Sequence, residues 1–453
     1  MPPQAGKCMT FDSEFLLTRL QTMTSVDPPL RWLVAFSGGV DSTVLLHALG
    51  DCREKIEQQV VAVHIDHALN PDSASWDSHC QQFAEGLGMQ YVSRKVAVAE
   101  DVGSGPEAAA RQARYAAFHQ LVQPGDCLLS AHHEDDQAET LLLNLMRGSG
   151  FAGVAGIGAL QDFSLGRLLR PLLGVPAAAI EAYAARHNLA WIEDPSNSDT
   201  RFDRNFLRKE IMPKLASRWP AVAARLKQSA DLAGEGSELL NDLADLDLEN
   251  IGSPERLAIA GIQELSLPRQ RNVLRRAIRR SGLPPAPATR LYQVVHELIP
   301  AREDAQPVVT WPGAELRRYR QHLYVLPATP AADSTDDKIL LVSDEMLQLG
   351  PGMGALLLDA GKAGGIDPQL AERGLAVRYR QGGEEIRLPG HDCTHKLKKL
   401  LQQEGVLPWM RARLPLLYAQ DRLVAVADIW VAADCVSTPG YAVSWHERPV
   451  LFA

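Results

Sequence analysis

A glycine-containing turn carries the strongest chemical signal in the sequence. The segment SGGVDS follows the apolar run WLVAF and leads into the helical pattern STVLLHAL. Its residues are Ser37, Gly38, Gly39, Val40, Asp41 and Ser42. Glycines permit a sharp turn that brings N–H groups together, and the N-terminus of the next helix adds partial positive charge. The turn predicts a site for a phosphate chain, and an ordinary strand-to-helix turn capped by Ser42 is the alternative.

Carboxylates follow another predicted strand. In HHEDDQAET, residues 132–140, Asp136 and Glu139 stand three apart and share one face of a predicted helix. Because Mg²⁺ usually takes one or two carboxylates beside phosphate oxygens, we predict that Asp41 and Asp136 hold Mg²⁺ and are catalytic. Routine complementation of the helix dipole by acidic residues is the alternative.

Arginine and histidine complete the set of candidate catalytic residues. EAAARQARY places Arg111 and Arg114 on one helical stripe with Glu107. An arginine directed at a transferring phosphate stabilises developing negative charge, whereas a solvated face with a Glu–Arg pair is the alternative. We predict that His132 is a hydrogen-bonding residue at a strand end, near the substrate.

Three basic clusters are candidate contacts for RNA phosphates. The residues predicted to make these contacts are Arg204, Arg208, Arg275, Arg276, Arg279, Lys396, Lys398 and Lys399. The three arginines of the second cluster are part of a set of six within residues 269–280, a segment without an acidic residue. Its alternative is a solvated face paired with Asp242, Asp245 and Asp247. Trp409, near the third cluster, is a candidate for stacking on bases or for the core.

The elements that must position these residues indicate an α/β domain. Between residues 30 and 220, short apolar runs alternate with amphipathic stretches. We predict strands over 32–36, 60–65, 90–94 and 127–131, and helices over 42–49, 74–87, 105–121 and 136–146. The pattern predicts a doubly wound parallel sheet, which binds ligands at the carboxyl ends of its strands.

The remainder of the chain predicts two further domains. Helical periodicity over 222–248 and 267–280 comes with little strand signal, and LPATPAADSTDDK is typical of a linker. Strands are expected over 338–347, 375–378 and 422–429, around a helix over 394–403. We therefore predict an ATP-binding domain over 1–220, a helical domain over 221–325, a linker over 326–338 and an α+β domain over 339–453.

Composition limits the classes of protein that remain. The 453 residues are 46% hydrophobic and 22% charged, as in soluble globular proteins of two or three domains. A net charge of −9 gives no general attraction to nucleic acid, so RNA binding would need a local patch. The six cysteines form no C-x-x-C pair, and no apolar run reaches about 20 residues. We expect a cytoplasmic protein that does not associate with membranes.

Several motifs together resemble one enzyme family. SGGVDS lacks the lysine of a Walker A loop and resembles the pyrophosphatase-type loop (PP-loop) of enzymes that split ATP into AMP and pyrophosphate. Further segments are similar to the long form of the tRNA(Ile)-lysidine synthetases. They are HIDH (64–67), EAAARQARY (107–115), HHEDDQAET (132–140), RGSG (147–150), RPLL (170–173), WIEDPSN (191–197), GGE (382–384), LPG (388–390), KKLL (398–401) and PLLY (415–418).

The resemblance implies an ATP-dependent ligase that acts on the isoleucine tRNA with a CAU anticodon. In such an enzyme ATP adenylates the C2 oxygen of the wobble cytidine, and the ε-amine of free L-lysine then displaces AMP to form lysidine. The resemblance also implies that Asp136 and Glu139 bind lysine and that the basic clusters bind the tRNA.

Two other classes stay open at this point. One is another AMP-forming enzyme on the same loop, such as an RNA thiolase or an ammonia ligase. The missing C-x-x-C pair argues against a thiolase, and the lack of a glutaminase-like portion argues against an ammonia ligase. The other class is a tRNA-binding protein without catalytic activity, which the intact SGGVDS and DDQAET segments disfavour.

Overall fold

The fold is taken from a computed structural model that describes residues 10–67, 72–97, 106–302, 305–328, 338–342 and 345–452. The chain forms two compact units, Met1–Leu240 and Asn241–Ala453. Most of the predicted linker lies outside the described residues.

A six-stranded sheet forms the centre of the first unit. Its strands are β1 (Arg31–Ala35), β2 (Gln59–Asp66), β3 (Gln90–Lys95), β4 (Asp126–Leu129), β5 (Leu160–Phe163) and β6 (Gly166–Leu169). The helices are α1 (Ser13–Met23), α2 (Val40–Asp51), α3 (Ser73–Gly86), α4 (Pro106–Leu121), α5 (Glu134–Met146), α6 (Phe151–Val154), α7 (Ala177–Arg186), α8 (Asp203–Phe206) and α9 (Met212–Arg218). A π-helical turn, Leu207–Ile211, separates α8 from α9, and α10 (Val222–Ile251) follows.

The strand order is β3-β2-β1-β4-β6-β5, and only the edge strand β5 is antiparallel. Both faces of the sheet are buried, because Trp32 and Val34 join a core with α1, α2 and α7 while Leu33 joins a separate core with α4. This explains why the strands read as continuous apolar runs rather than as an alternation. The predicted doubly wound parallel sheet is confirmed, with β5 and β6 as additions.

The sheet topology sets the position of the candidate site. β1 pairs in parallel with β2 on one side and with β4 on the other, so the strand order reverses between β1 and β4. Loops at the carboxyl ends of two such strands leave in opposite directions and open a crevice. The segments 37–42 and 130–134 follow β1 and β4, which brings SGGVDS and HHEDDQAET to the same edge of the sheet.

A buried ion pair ties two of these strands together. Asp126 is 3% exposed and accepts hydrogen bonds from Arg31 Nε at 2.9 Å, Arg31 Nη2 at 2.5 Å and the Gln123 N–H at 2.8 Å. Burial alone would raise the pKa of Asp126, but these donors lower it overall. A lowered pKa means that the carboxylate stabilises the fold above its ordinary pKa and loses this contribution as the pH falls below it.

We expect Asp126→Asn to lower the free energy of unfolding by about 2 kcal/mol at pH 7. The difference from the parent protein should shrink below about pH 4, because the carboxylate of the unfolded chain protonates there and that of the folded protein follows at its lowered pKa. Urea unfolding at pH 7 and at pH 3 measures both values, with the exposed Glu57→Gln as a control. A deficit that is equal at both pH values would contradict the assignment.

The second unit begins with helices around a five-stranded antiparallel sheet. The strands are β7 (Gly252–Ser253), β8 (Arg256–Ala258), β9 (Val308–Trp311), β10 (Ala314–Tyr319) and β11 (His322–Pro327), in the order β7-β8-β11-β10-β9. The helices are α11 (Ile259–Gln263), α12 (Leu267–Arg280) and α13 (Ala288–Gln293), and the π-helical turn Val294–Leu298 follows α13. The predicted helix over 267–280 is confirmed.

The sheet in this region is absent from the prediction of a helical domain over 221–325, and this part of the prediction is corrected. β10 reads AELRRY, yet Glu315 is 3% exposed and Arg318 is 7% exposed. Glu315 accepts two hydrogen bonds from Arg317, and Arg318 donates to the Ile299 carbonyl. Because paired charges are buried on this strand, the alternation of polar and apolar residues that signals a strand is lost.

The remaining residues form two five-stranded sheets and one antiparallel pair of short strands. The strands are β12 (Lys338–Leu340), β13 (Leu347–Gln348), β14 (Ala355–Lys362), β15 (Gly365–Ile366), β16 (Leu375–Tyr379), β17 (Glu385–Ile386), β18 (His395–Lys396), β19 (Pro415–Ala419), β20 (Arg422–Val426), β21 (Trp430–Val431), β22 (Val436–Ser437) and β23 (Gly440–His446). The helices are α14 (Pro368–Ala371) and α15 (Leu397–Gln403). The sheet orders are β12-β16-β19-β20-β21 and β13-β14-β23-β15-β22, with β17 paired to β18.

Two predicted strands and one predicted helix in this region differ from the observed elements. The segment 338–347 is not one strand, because β12 and β13 belong to different sheets. The segment 422–429 is interrupted after β20, where Ala427 has a φ of 46°. The basic helix begins at Leu397 rather than at 394, because β18 pairs with β17.

Within the described residues, every helix is too short or too polar to cross a lipid bilayer.

Candidate active site

The loop between β1 and α2 has a backbone that only glycine tolerates at its centre. Gly38 has a φ of 84°, in the left-handed region. A Cβ at this position would lie 2.6 Å from Ile192 Cδ1 and 2.8 Å from Cys80 Sγ. The Gly38 carbonyl accepts from the Ile192 N–H at 2.9 Å, which holds the turn against the segment WIEDPSN. The sharp turn predicted from the sequence is therefore present.

Hydroxyl groups close the same loop. Ser42 Oγ accepts from the Ser37 N–H at 3.3 Å and donates to the Gly39 carbonyl at 3.0 Å, and Thr43 Oγ1 donates to the Gly38 carbonyl at 3.2 Å. Gly39 is the N-cap of α2 and supplies no side-chain cap. The first turn of α2 thus offers N–H groups and the positive end of the helix dipole, an arrangement suited to a phosphate chain.

His133 joins the two loops of the crevice. Its Nε2 lies 3.7 Å from Asp41 Oδ2 and 3.5 Å from Asp136 Oδ2. The backbone N–H of His133 donates to Asp136 Oδ2 at 3.0 Å. Burial alone would lower the pKa of His133, but Asp135, Asp41 and Asp136 raise it to about 10. The imidazole is therefore protonated at neutral pH. The role of His133 was not predicted from the sequence, where its position directly before three acidic residues is the available signal.

Both carboxylates predicted to hold Mg²⁺ contact this histidine. Oδ2 of Asp41 and Oδ2 of Asp136 both lie within 4 Å of the same imidazole nitrogen. Asp41 is half-buried, whereas Asp136 is 9% exposed. Carboxylate oxygens are the ligands that Mg²⁺ prefers, and in this arrangement the imidazole of His133 contacts both of them.

Glu139 and Asp136 both contact Arg208. Arg208 Nε donates to Glu139 Oε1 at 2.7 Å, and Nη2 donates to Glu139 Oε2 at 2.9 Å and to Asp136 Oδ1 at 3.1 Å. Burial alone would lower the pKa of Arg208, but the two carboxylates raise it overall. Arg204 lies 3.6 Å from Glu139 Oε2 and donates to Thr140 Oγ1 at 2.7 Å.

These contacts differ from the sequence expectation in two ways. Arg204 and Arg208, predicted to contact RNA, reach into the crevice beside Glu139. Glu139, predicted to bind a lysine ammonium group, is 1% exposed and already holds a guanidinium. The charges of Arg204 and Arg208 are therefore offset by carboxylates of the site, although the Arg208 side chain remains 45% exposed.

His132 lies at the carboxyl end of β4, as predicted, and its Nδ1 is 2.5 Å from Ser130 Oγ. Burial lowers the pKa of His132, and nearby arginines lower it further, whereas Asp136 opposes the change. The imidazole is therefore neutral at physiological pH, unlike that of His133. A neutral imidazole can accept as well as donate a hydrogen bond.

The predicted arginines of α4 lie in different surroundings. Arg111 is exposed, donates to the Tyr115 hydroxyl at 3.3 Å and lies 4.9 Å from the centre of that ring. Arg114 is half-buried and, after burial itself, is the main cause that lowers the pKa of His67. Arg170, which had no predicted role, is 4% exposed and donates to the Gly158 carbonyl at 2.6 Å. The sequence signal that could have indicated Arg170 is the family-like segment RPLL, which begins with this residue.

The arginine-rich helix α12 is partly neutralised by α10. Arg276 donates to Asp245 at 2.8 and 2.5 Å, and Arg280 donates to the same residue at 3.2 Å. Arg269 pairs with Asp247. Arg279 makes a 3.4 Å contact with Asn241 Oδ1. These pairs match the solvated-face alternative for part of the helix.

The third basic cluster is split between surface and core. Lys396, Lys398 and Lys399 are exposed, as a contact with RNA requires. Trp409 is half-buried, with its ring centre 5.2 Å from that of Tyr324 and 5.5 Å from the Arg317 guanidinium. The structure therefore favours a packing role for Trp409 over base stacking.

Family comparisons cover most of the chain. A model described as PP-loop domain matches residues 13–215, the TilS substrate binding domain matches 257–324 and the TilS substrate C-terminal domain matches 375–445. The tRNA(Ile)-lysidine synthase of Alkalilimnicola ehrlichii is 41% identical over 95% of this chain and 97% of its own length. This chain belongs to the tRNA(Ile)-lysidine synthase family.

Other tRNA(Ile)-lysidine synthases agree with this assignment. The enzyme of Coxiella burnetii is 39% identical over 93% of both chains, and that of Xanthomonas campestris pv. campestris is 42% identical over 90% of this chain and 92% of its own length. Membership of the tRNA(Ile)-lysidine synthase family confirms the resemblance that the sequence motifs indicate. The PP-loop match contains all of the crevice residues described above.

Proposed function

We propose that this chain joins L-lysine to the wobble cytidine of an isoleucine tRNA with a CAU anticodon in two steps, the first of which consumes ATP. The 41% identity with a tRNA(Ile)-lysidine synthase over 95% of the chain carries the proposal. The loop around Gly38 supports it, because its left-handed turn leads into an uncapped helix N-terminus suited to phosphate.

In the first step the C2 oxygen of the cytosine attacks the α-phosphorus of ATP. A C2–O–P bond forms while the bond to pyrophosphate breaks. The N–H groups at the start of α2 bind the departing pyrophosphate, and Arg111 and Arg114 offset the negative charge that develops on the phosphate. Asp41 and Asp136 would hold Mg²⁺, which would neutralise phosphate charge. His133 contacts both carboxylates and so fixes their positions.

In the second step the ε-ammonium group of lysine loses a proton to solvent, the resulting amine attacks C2, and the C2–O bond breaks to release AMP. Positioning and charge stabilisation suffice for this exchange, because AMP is already a good leaving group. Asp136 and Glu139 supply the negative charge that attracts the ammonium groups of lysine. Arg208 contacts both carboxylates, so lysine binding requires this guanidinium to move or to share them. Neutral His132 orients the cytosine by a hydrogen bond.

The tRNA is held by basic groups on the second unit, because the chain as a whole is acidic. The exposed lysines at 396, 398 and 399 and Arg275 of α12, which makes no ion pair within the described residues, are the proposed contacts. C2 of a cytosine is accessible only when the base is unstacked, so a single-stranded anticodon loop suits this chemistry.

Incorporation of labelled lysine into a transcript of this tRNA tests the proposal. The purified protein should form lysidine only when ATP, Mg²⁺, lysine and tRNA are all present, with one AMP released per lysine attached. A transcript with a CAC anticodon in place of CAU should be a poor substrate. Formation of AMP that depends on tRNA but not on lysine would favour another AMP-forming enzyme.

We expect Glu139→Gln to raise the KM for lysine at least about tenfold, because a charge-assisted contact to an ammonium group is lost. The KM for ATP should change much less. Steady-state kinetics with each substrate varied in turn measure both constants. Glu210→Gln is the matched control, since within the described part of the chain Glu210 pairs only with Lys214, on the surface. Equal changes in both KM values would contradict a role in lysine binding.

A further inference from the structure

Three side chains that can ligate a metal ion meet where α2 and α7 end. His47 and Asp51 stand four apart on α2, and His187 is the C-cap of α7. One donor atom from each of them lies within 4.8 Å of the other two. His47 Nδ1 is 3.7 Å from Asp51 Oδ2, and the two imidazole ring centres are 4.9 Å apart. Among the described residues, this is the one group of three side chains that could hold a metal ion in this way.

The group is separate from the phosphate loop. Asp41 lies in the first turn of α2 and Asp51 is its last residue, so a rise of 1.5 Å per residue places them about 15 Å apart along the helix axis. The C-terminus of a helix carries partial negative charge, and both α2 and α7 end at this group. The two helix ends therefore favour a cation here, whereas the start of α2 favours an anion.

A buried tyrosine orients all three side chains. The Tyr183 hydroxyl donates to Asp51 Oδ2 at 3.0 Å and lies 3.0 Å from His47 Nδ1. Ser13 Oγ donates to the same carboxylate oxygen at 2.9 Å. The ring of Tyr183 stacks on that of His187, with the centres 4.2 Å apart. Hydrogen bonds and packing of this kind fix the orientation of metal ligands and raise the affinity of a site.

The three side chains are more accessible than the tyrosine that orients them. Tyr183 is fully buried, whereas the side chains of His47 and Asp51 are 16% and 39% exposed and His187 is exposed. Within the described residues, the His187 imidazole makes ring contacts but no hydrogen bond or ion pair. A metal ion can therefore reach the group from solvent and keep a water ligand.

We propose that His47, Asp51 and His187 bind one Zn²⁺ ion, with water as the fourth ligand, and that this ion joins α2 to α7. Two imidazole nitrogens and one carboxylate oxygen form a ligand set typical of Zn²⁺, whereas Mg²⁺ prefers oxygen ligands alone. Tetrahedral Zn²⁺ places its ligand atoms about 3.3 Å apart, so the donor atoms need to approach by about 1.5 Å at most. The proposal goes beyond lysidine formation and does not depend on it.

Equilibrium dialysis of the metal-free full chain against ZnCl₂, with millimolar MgCl₂ present, tests the site. The parent protein should bind one more Zn²⁺ per chain than His187→Gln or Asp51→Asn. Loss of a ligand should weaken binding by more than about 100-fold, because loss of a partner that merely orients a ligand already costs about 10- to 100-fold. Asparagine still accepts hydrogen bonds from Ser13 and Tyr183, so the fold should persist. Ions bound elsewhere, for example at Cys393 and His395, contribute equally to the parent protein and both variants.

His296→Gln is the matched control. His296 is also exposed, and its ring centre lies 4.1 Å from that of Tyr292, but it belongs to no group of three ligands within the described residues. This variant should bind Zn²⁺ as the parent protein does. Tyr183→Phe keeps the three ligands and loses the hydroxyl group, so it should still bind one ion, about 10- to 100-fold more weakly.

Thermal unfolding measures whether the ion joins the two helices. Zn²⁺ at 100 times its Kd should raise the Tm of the first unit by about 5 to 10 °C in the parent protein and in His296→Gln. The Tm of His187→Gln should not change at the same Zn²⁺ concentration. An unchanged Tm in the parent protein would contradict a connection between α2 and α7.

The outcomes separate this site from the proposed function. Equal Zn²⁺ uptake by the parent protein, His187→Gln and Asp51→Asn would overturn the site and leave a network of hydrogen bonds around Tyr183. An equal loss in His296→Gln would also overturn it, since surface histidines in general would then account for the uptake. Failure of the parent protein to form lysidine would instead contradict the proposed function, whatever the Zn²⁺ binding.

Discussion

Asp41→Asn is expected to reduce pyrophosphate release that depends on tRNA and lysine by about 10²- to 10³-fold. The carboxylate is one of two that face His133, and it lies in the first turn of the helix that follows the phosphate loop. Asparagine keeps the size of the side chain but removes the charge that would hold Mg²⁺ and that opposes the imidazolium. The fold should persist, because the Asp41 side chain is 38% exposed.

Pyrophosphate release measured with saturating ATP, lysine and tRNA checks this result. Glu57→Gln removes one exposed carboxylate from the same unit and should leave the rate unchanged. Thermal unfolding of both variants controls for loss of structure. A rate for Asp41→Asn close to that of the parent protein would exclude Asp41 from the catalytic set.

Gly38→Ala is expected to lower the free energy of unfolding by about 2 to 5 kcal/mol and to abolish ATP-dependent activity. A φ of 84° costs an alanine about 1–2 kcal/mol. The new Cβ would also lie 2.6 Å from Ile192 Cδ1 and 2.8 Å from Cys80 Sγ, and overpacking of this kind costs about 1–3 kcal/mol. Relief of these contacts requires the loop to move, which displaces the N–H groups that bind phosphate.

The neighbouring glycine supplies a matched comparison. Gly39 has a φ of −72°, and a Cβ there would approach only Ser37 Oγ, at 3.6 Å. Gly39→Ala should therefore stay within about 1 kcal/mol of the parent protein. Urea unfolding of the two variants measures the difference. Equal stability would mean that the turn does not require its left-handed residue.

Local patterns were sufficient where one chemical rule decides the structure. The runs at β1, β2 and β4 predicted a parallel sheet because strands buried on both faces must be apolar throughout. The spacing of SGGVDS predicted its turn because backbone conformation is a local property of glycine. In β10 the same reasoning missed a strand, because Glu315 and Arg318 are buried with partners that local spacing does not reveal.

The partners of charged residues were the least predictable part of the site. Arg208 and Glu139 are 69 residues apart, and Arg276 and Asp245 are 31 apart. From spacing alone, Arg204 and Arg208 were equivalent to the exposed lysines 396, 398 and 399. Only packing separates cations that face a carboxylate from those that face solvent.

The sequence by itself determined the α/β order of the first unit, the phosphate loop, and a set of motifs specific enough to indicate the family. Each of these depends on residues that are neighbours along the chain. The tertiary structure decided that Arg208 holds Glu139 and Asp136, that His133 joins the two carboxylates beside the loop, and that Arg276 pairs with Asp245 whereas Arg271 and Arg275 make no ion pair within the described residues. Those outcomes depend on distances between remote segments, which are set by how the buried faces of helices and strands pack.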